Sequence, residues 1–474
     1  MKKLVSFVLF ALMFSVASAQ VTFAPFMLYS DDYTYTSNTA ANASGGLYPY
    51  DPHYAIYPNS IITSLTTQTV STQFAQSVWS SMPPDLKTLT WGFTVNNPAS
   101  TTCPMPIFEP NIPAAVAAAV NIPSFIANGK TYFVSAGGAG HTFKCNSGTS
   151  PNNTAFMTYV NTFVSPNLLG FDFDIEGQTI VNSSYTGTIC NSGCTGVGNI
   201  LTVTADTTPV SLGQEIYNNG LAVGVYYIIA MSGSQLNGVT ACGSCTGTGG
   251  TGTYLVGKVN NVAASLNITS GVFGTSTPNY SQNDVFNLIE EMNYAQTTYP
   301  GLQWSFQVGG NACSVGCSTG FSQYAVWIQE AMAVYPVTNY VFVLQAGDFL
   351  QQSNQCVISA GVCEMGLSVI QEMQNAHNYN GIPYANLGVN PYIGGNDWVG
   401  GTIDFLTIAD VATITTWFTA NGLNRITPWA YSRDFDCATQ ASPNTSSDTC
   451  NNYGSVGTAG TLGFTKAFLS GLGQ

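Results

Sequence analysis

The sequence predicts an α/β fold, a (β/α)8 TIM barrel with a small all-β insertion after the fourth strand. Strand-like and helix-length segments alternate along the chain, which is the pattern of parallel β/α units. One of these strands carries three acids on a single face, and a Gly/Thr/Ser-rich stretch then interrupts the alternation. A chain of 474 residues is long enough for one barrel of ordinary size with an insertion, or for two to three domains.

The N-terminal segment 1–19 has the features of a secretory signal peptide. Lys2 and Lys3 precede an apolar run over 4–16, which ends in small residues at 17–19. This run is too short to be kept as a membrane span, and no later apolar run approaches the roughly twenty residues that a transmembrane helix needs. We therefore expect a secreted, extracellular protein without a membrane span.

The first half of the predicted barrel contains four strands. The first three lie at 21–29, 86–95 and 130–136, and the third ends at Gly137 and Gly138. Glycines at a strand end let the backbone turn tightly or approach a ligand, which makes both glycines candidate substrate contacts.

The second half continues the alternation with four more strands and three clear helices. Strands are predicted at 302–308, 340–344, 385–393 and 425–431, and helices at 281–299, 364–379 and 408–421. Active sites of such barrels lie at the C-terminal ends of the strands. Asn396, Asp397 and Trp429 lie at or just after such ends and are therefore candidate substrate-binding residues.

The fourth strand, at 168–177, is the most informative segment. Asp172, Asp174 and Glu176 alternate with large apolar residues, so a β-strand directs all three carboxylates to one face. Crowding of like charges raises the pKa of at least one carboxyl and supplies a proton donor near neutral pH. The pattern favours an acid catalyst at a strand tip. A calcium site and a solvent-facing edge strand are the alternatives.

Composition limits the partners. Only 7% of the residues are charged, and 23 acids outnumber 9 bases, which argues against nucleic acid or an anionic membrane. Aromatic residues make up 12% of the chain, including 25 Tyr and 7 Trp, as a sugar-binding surface requires. Alternatively, many of the tyrosines simply keep a charge-poor surface soluble. With 3 His, a His-based triad or metal site is disfavoured.

The 12 cysteines support export, because an even count in an exported chain implies disulfides. Zinc at Cys242 and Cys245 is disfavoured, since no second such pair or nearby His completes four ligands. Five pairs are near neighbours in sequence, and Cys103 and Cys145 remain. These pairs are Cys190 with Cys194, Cys242 with Cys245, Cys313 with Cys317, Cys356 with Cys363 and Cys437 with Cys450.

The predicted insertion at 184–276 is rich in Gly, Thr, Ser and Val and has almost no charge. Its pieces at 201–204, 221–229, 246–254 and 262–268 are typical of short strands joined by glycine turns. It resembles small β-modules of viral and phage structural proteins, and the alternative is a flexible glycine-rich loop. The predicted organisation is a signal peptide at 1–19, barrel halves at 20–183 and 277–474, and the insertion between them.

Four motifs in order resemble those of family 18 glycoside hydrolases, the chitinases and related enzymes. The acidic strand carries the family's D-x-D-x-E, and 135–138 carries its S-x-G-G. The stretch 387–397 is similar to G-V-T-P-M-I-G-x-N-D in secreted bacterial chitinases, and 428–434 is similar to W-S-x-x-R-D. The opening 23–26 resembles the first strand of those enzymes. The resemblance covers nearly the whole chain apart from the insertion.

The resemblance implies a secreted hydrolase that cleaves β-1,4-linked N-acetylglucosamine polymers, such as chitin, by a retaining, substrate-assisted mechanism. Glu176 would protonate the glycosidic oxygen, and Asp174 would hold the acetamido N–H. Asp172 would tune the charge of Asp174, and Trp429 would form the floor of the −1 sugar site. The implied chemistry needs no metal or other cofactor. The partner is chitin or another N-acetylglucosamine-containing polysaccharide.

The chain departs from the family pattern at two positions that matter. Leu169 replaces the Asp that usually opens the signature, a loss we interpret as structural. The tyrosine that many members place on the sixth strand is absent, since Ala346 aligns with it, and Gln345 or Asp348 is the candidate substitute. The alternative function is therefore a catalytically weakened, chitinase-like protein that binds carbohydrate or attaches to a surface.

Overall fold

The computed structural model describes most of the chain after the first nineteen residues. Glu176, Asn396 and Asp397 lie outside the described residues, as does the segment 1–19. The described ranges are 20–28, 82–95, 107–108, 112–138, 143–145, 150–175, 282–310, 312, 323–346, 356–395, 405–437, 450–451 and 458–474, with the backbone of several strands between 180 and 276.

A curled, mostly parallel sheet organises the described residues. Its parallel strands are β1 (Thr22–Phe23), β2 (Phe26–Leu28), β3 (Thr88–Val95), β4 (Thr131–Gly137), β5 (Leu168–Asp174), β6 (Gln303–Gly309), β7 (Tyr340–Ala346), β8 (Leu387–Pro391) and β9 (Arg425–Ile426).

The pairing order makes this sheet consistent with an α/β barrel. Strands β3 to β9 pair in chain order, each parallel to the next. At one edge β2 pairs with β3, and at the other β1 pairs with β9. Because β1 and β2 belong to one short segment, the two edges of the sheet meet there. A short antiparallel pair, Ile107–Phe108 with Ile112–Pro113, extends β3.

Seven helices of the described residues alternate with these strands. They are α1 (Ala114–Ala127), α2 (Asn153–Phe163), α3 (Gln282–Thr298), α4 (Gln323–Val334), α5 (Met365–Asn380), α6 (Ile408–Asn421) and α7 (Gly463–Leu472). The predicted helix at 408–421 is confirmed with the same bounds. Thr407 and Asp410 form a capping box at its start, and Gly422 ends it in the left-handed conformation.

The apolar face of β5 forms part of the core beneath the helices. Phe171 lies 5.6 Å from Trp304 and 5.4 Å from Tyr159 between ring centroids, and Phe173 lies 6.4 Å from Phe156. All five rings are buried. These are favourable ring separations, so the alternation predicted for this strand is confirmed on its apolar side.

Three predicted strands differ from the structure at their ends. The strand predicted at 21–29 is divided at Pro25, which has no N–H for the ladder. The strand predicted at 425–431 is wrong in length: β9 ends before Pro428, and a 3-10 turn, Tyr431–Arg433, follows. The strand predicted at 385–393 starts only at β8, because a 3-10 turn, Tyr384–Asn386, precedes it.

Between 180 and 276 the described backbone forms a separate antiparallel sheet. Six strands pair in a closed order, and two short ones form a hairpin. The predicted segment 262–268 lies outside the described residues, and the insertion boundaries stay a prediction. The six strands are Ile180–Cys190, Asn199–Asp206, Glu215–Asn218, Leu221–Ala230, Gly252–Lys258 and Gly271–Ser276; the hairpin is Gln235–Leu236 with Val239–Thr240.

One predicted cysteine pair is confirmed by a disulfide between Cys437 and Cys450. Cys145 is also disulfide-bonded, and Cys356 and Cys363 are both buried. No helix in the described part of the chain combines the length and apolarity needed to cross a bilayer.

Candidate active site

Asp172 lies fully buried inside the sheet and is held by side chains from three other strands. Ser135 of β4 donates to its Oδ2 at 2.9 Å, and Ser305 of β6 donates to its Oδ1 at 2.6 Å. Gln307 of β6 donates from Nε2 to both oxygens, at 3.0 and 3.2 Å. Arg425 of β9 completes the set, with Nη2 at 3.1 Å from Oδ1. The acidic face of β5 is therefore surrounded by polar side chains at Asp172.

The orientation of Gln307 is fixed by a second amide. Asn390 of β8 donates from Nδ2 to Gln307 Oε1 at 3.3 Å, so the Gln307 amino group is left to point at Asp172. Asn390 and Gln307 are both buried. A row of hydrogen-bonded polar side chains thus runs along the inner face of the curled sheet from β8 to β5.

Arg425 belongs to this cluster of side chains, and no pattern in the sequence predicts it there. Its side chain is completely buried, and its guanidinium carbon lies 4.0 Å from the centre of the Phe133 ring. Burial lowers the pKa of Arg425 to about 10, which the charge of Asp172 partly offsets. The guanidinium therefore stays charged at neutral pH. The available signal was its rarity, since Arg425 and Arg433 are the only arginines in the chain.

Asp174 ends β5 at the C-terminal edge of the sheet and is almost completely buried. Gln345 of β7 donates from Nε2 to its Oδ1 at 2.9 Å. The backbone N–H of Gly138 donates to its carbonyl oxygen at 2.7 Å. Gln345, predicted as a candidate substitute for the family tyrosine, therefore contacts Asp174, one of the three predicted catalytic carboxylates.

Gly137 and Gly138 act through their backbones. Both have positive φ, +111° and +91°, which side chains rarely adopt. A Cβ on Gly137 would overlap the carbonyl oxygen of Asp174, and one on Gly138 would approach the Phe93 ring within 2.9 Å. These glycines therefore seat the end of the acidic strand and an aromatic ring, while substrate contact by either stays a prediction.

Trp429 lies half-buried beside two further rings. Phe93 stacks on it with centroids 5.6 Å apart and planes at 24°, and Phe26 lies 5.6 Å away at 56°. The Trp429 backbone N–H donates to Pro391 O at 2.9 Å, which ties it to the end of β8. An indole backed by a stacked ring at the C-terminal edge of the sheet offers a flat face on which a sugar ring could pack.

The structure brings most of the predicted site residues to one edge of the sheet. Strands in parallel order place their C-terminal ends together, so Asp174, Gln345, the two glycines and Trp429 share this edge, with Asp172 below them. Glu176, Asn396 and Asp397 cannot be placed, because they are outside the described residues. An oriented carboxylate beside an aromatic face can accept a hydrogen bond from a substrate N–H.

Comparison with solved structures finds chitinase catalytic domains at very low sequence identity. The catalytic domain of a hyperthermophilic chitinase from Pyrococcus furiosus gives a TM-score of 0.48 at 12% identity, covering 82% of this chain and 87% of that one. Catalytic-site mutants of its active domain 2, complexed with chito-oligosaccharides, give 0.49 at 13% identity, with coverage of 96% and 95%. A group IV chitinase from Ostrinia furnacalis gives 0.38 at 10% identity, with coverage of 84% and 94%.

No protein-family model and no curated protein sequence matches the chain. At the TM-scores and identities found, the likeness to chitinases carries no argument about activity or substrate. The chemistry open to this protein follows from the acidic strand and its surroundings.

Proposed function

We propose that the protein is a secreted glycoside hydrolase that cleaves β-1,4-linked N-acetylglucosamine polymers by a retaining, substrate-assisted mechanism. One observation carries the proposal: Asp174 ends a central parallel strand, is oriented by Gln345, and shares its edge of the sheet with the aromatic face of Trp429. In the sequence Glu176 follows Asp174 by two residues, as a general acid next to an orienting acid requires. The fold we propose for this hydrolase is a (β/α)8 barrel, with which the pairing order of the strands is consistent.

The proposed chemistry assigns one task to each group. Glu176 protonates the glycosidic oxygen while the acetamido carbonyl oxygen attacks the anomeric carbon, which expels the leaving sugar and forms an oxazolinium ion. Asp174 accepts the acetamido N–H and stabilises the positive charge. Water then attacks the anomeric carbon and gives its proton to Glu176, which restores the acid and retains the configuration.

The first test is release of reducing ends from chito-oligosaccharides by the parent and by Glu176→Gln. Loss of a general acid typically costs about 10²-fold to 10⁴-fold in rate, so the variant should bind substrate with near-parental affinity and hydrolyse it at least about 100-fold more slowly. Asp85→Asn, at an exposed carboxyl, is the control and should keep parental turnover. Near-parental turnover by Glu176→Gln would remove Glu176 from the mechanism.

The pH profile separates the catalytic interpretation from a calcium site. Removing the charge of Asp174 makes ionisation of a neighbouring acid easier, so Asp174→Asn should move the basic limb of the activity profile to lower pH and reduce turnover. A structural calcium site predicts instead that a chelator lowers the thermal stability of the parent and that the limb stays in place. Each protein should therefore be profiled with and without chelator.

The same assay decides the alternative that the chain is a binding or attachment protein. The motivating observation is Gln345 in contact with Asp174, on the strand where many family members carry a tyrosine. Binding to insoluble chitin without any released product between pH 4 and 9 would establish that alternative, whereas oligosaccharide release excludes it.

Export and the insertion are separate proposals. If 1–19 is a signal peptide, protein recovered from the medium should begin at Gln20, which N-terminal sequencing measures. If 184–276 is an insertion that extends substrate contacts, its replacement by a short Gly/Ser linker should leave hydrolysis of soluble oligosaccharides intact and weaken binding to the polymer. Equal loss of both activities would show that the segment belongs to the barrel fold itself.

A further inference from the structure

Asp172 and Arg425 form an ion pair in the floor of the barrel whose two side chains are completely shielded from solvent. An ion in such a place is costly unless an opposite charge and hydrogen bonds compensate it. Arg425 Nε and Nη1 have no hydrogen-bond partner among the described residues, so Nη2 to Asp172 is the polar contact that neutralises the cation there. Asp172 is in turn surrounded by donors, the two serines, Gln307 and Arg425.

The other ionisable groups facing Asp172 do not compete for this role. Tyr159 of α2 is near enough to interact with the charge of Asp172, and the Tyr159 hydroxyl forms a hydrogen bond with Thr94 Oγ1 at 2.9 Å. Burial, with a smaller contribution from the charge of Asp172, raises the pKa of Tyr159. On the strand itself the next inward acid is Asp174, which Gln345 of β7 holds on its Oδ1.

We propose that Arg425 is a positioning residue that fixes the Asp172 carboxylate and neutralises its charge, so that Asp174 rather than Asp172 responds to changes in charge at the site during turnover. This inference rests on the proposed function for its catalytic part. A carboxylate that is paired with a buried guanidinium and bound by three further side chains is fixed in place, and the pair adds little net charge next to Asp174.

The sequence supports a dedicated role for this arginine. A chain with 9 Lys and Arg in 474 residues places one of its two arginines where no solvent reaches it. A planar guanidinium both pairs with the carboxylate and lies on the Phe133 ring, which a lysine ammonium does less well. The pair also connects strands 253 positions apart in the chain, next to the segment where the sheet edges meet.

A four-protein cycle tests the proposal: the parent, Arg425→Met, Asp172→Asn and the double variant, with Arg425→Lys as the charge-preserving control. Arg425→Met should lower kcat about 10-fold to 100-fold and leave KM within about twofold. Loss of the cation also makes ionisation of Asp174 harder, so the acidic limb of the pH–activity profile should move to higher pH. Asp172→Asn should move that limb to lower pH. The double variant should lie closer to the parent than either single variant in kcat and in limb position, and Arg425→Lys should recover part of the loss.

Thermal unfolding of the same proteins without substrate keeps the pairing testable on its own. The double variant should melt above both single variants, because each single change leaves a buried charge unpaired. A folded double variant no more active than the worse single variant would overturn the proposal, as would parental pH limbs in Arg425→Met. If the parent hydrolyses nothing while the thermal coupling is found, the proposed function fails and the ion pair stands.

Discussion

At the scale of single residues, the site depends on positions that carry no chemistry of their own. Gly138 leaves room for the Phe93 ring, and Phe93 stacks on Trp429. The backbone N–H of Gly138 also donates to the carbonyl oxygen of Asp174. Gly138 thus positions both the stacked rings of Phe93 and Trp429 and the end of the acidic strand.

Gly138→Ala should therefore weaken binding of oligosaccharides by more than its loss of stability explains. The new Cβ meets the Phe93 ring at 2.9 Å, and the positive φ adds about 1–3 kcal/mol of strain, so we expect a lower Tm and a raised KM for oligosaccharides as Trp429 shifts. Gly129→Ala is a matched control, because Gly129 also has positive φ but nothing lies within 4 Å of its Cβ position. A KM equal to that of the control would show that Phe93 does not position Trp429.

Gln345 offers a second test at this scale. Gln345→Glu would place a like charge against Asp174, whereas Gln345→Leu would only remove the hydrogen bond. We expect both to lower kcat and to move the acidic limb to higher pH, the Glu variant further, because it adds a like charge as well as losing the donor. Identical profiles for the two would mean that Gln345 acts through packing rather than through Asp174.

At the scale of elements, the last helix depends on a buried acid from the preceding turn. Asp434 accepts hydrogen bonds from the backbone N–H groups of Phe464 at 3.0 Å and of Thr465 at 2.6 Å, in the first turn of α7, where the helix itself supplies no acceptor. Burial raises the pKa of Asp434 to about 6 although these hydrogen bonds lower it. Asp434, which lies five residues after Trp429 in the sequence, thereby connects the Trp429 segment to α7.

Asp434→Ala should destabilise the protein by about 1–3 kcal/mol, because two buried N–H groups at the start of α7 lose their acceptor. Asp434→Asn retains an acceptor oxygen and should fall between Ala and the parent. Urea unfolding of the three proteins measures the differences. Equal midpoints for Ala and the parent would show that the helix does not need this contact.

Elements with local signals could be predicted from the sequence, and those that depend on distant partners could not. The bounds of α6 follow from Thr407, Asp410 and Gly422, which act within a few residues of the helix ends. The length of β9 depends on Pro428 and on the bridge of Trp429 to Tyr392.

The same distinction holds within the site. The alternation of acids on β5 is a local pattern, and it correctly placed Asp172 on a polar inner face. The partner of Asp172 across the barrel is Arg425, which only the closed arrangement of strands brings within reach. Gln345 could be predicted only as one of two candidate substitutes for the missing tyrosine, and its contact with Asp174 could not be predicted, because the strand register decides which side chain faces inward.

At the scale of the whole molecule, buried carboxyl groups tie stability to pH. Burial raises the pKa of Glu291 on α3 to about 8, and raises those of Glu330 on α4 and Glu372 on α5 well above the ordinary value. The folded protein therefore keeps protons that the unfolded chain releases. The net charge of −14 acts in the same direction, since self-repulsion grows as acids ionise.

Stability should accordingly be highest in mild acid and fall as the pH rises from 5 to 8. For Glu291 the sign is clear: its contribution is complete below the unfolded pKa near 4.5 and is lost as the pH rises through about 8. Glu291→Gln keeps an oxygen that can accept the Asn152 N–H, 2.7 Å from Oε1 in the parent, and removes only the titration.

Unfolding free energies of the parent and Glu291→Gln at several pH values test this dependence. The fall between pH 5 and 8 should be shallower in the variant, by at most about 1.4 kcal/mol per pH unit for one proton. Asp85→Asn removes a carboxylate from an exposed position, so it lowers general repulsion without changing a buried proton and should keep the parental slope. Equal slopes in the two variants would assign the pH dependence to net charge rather than to the buried carboxyl of Glu291.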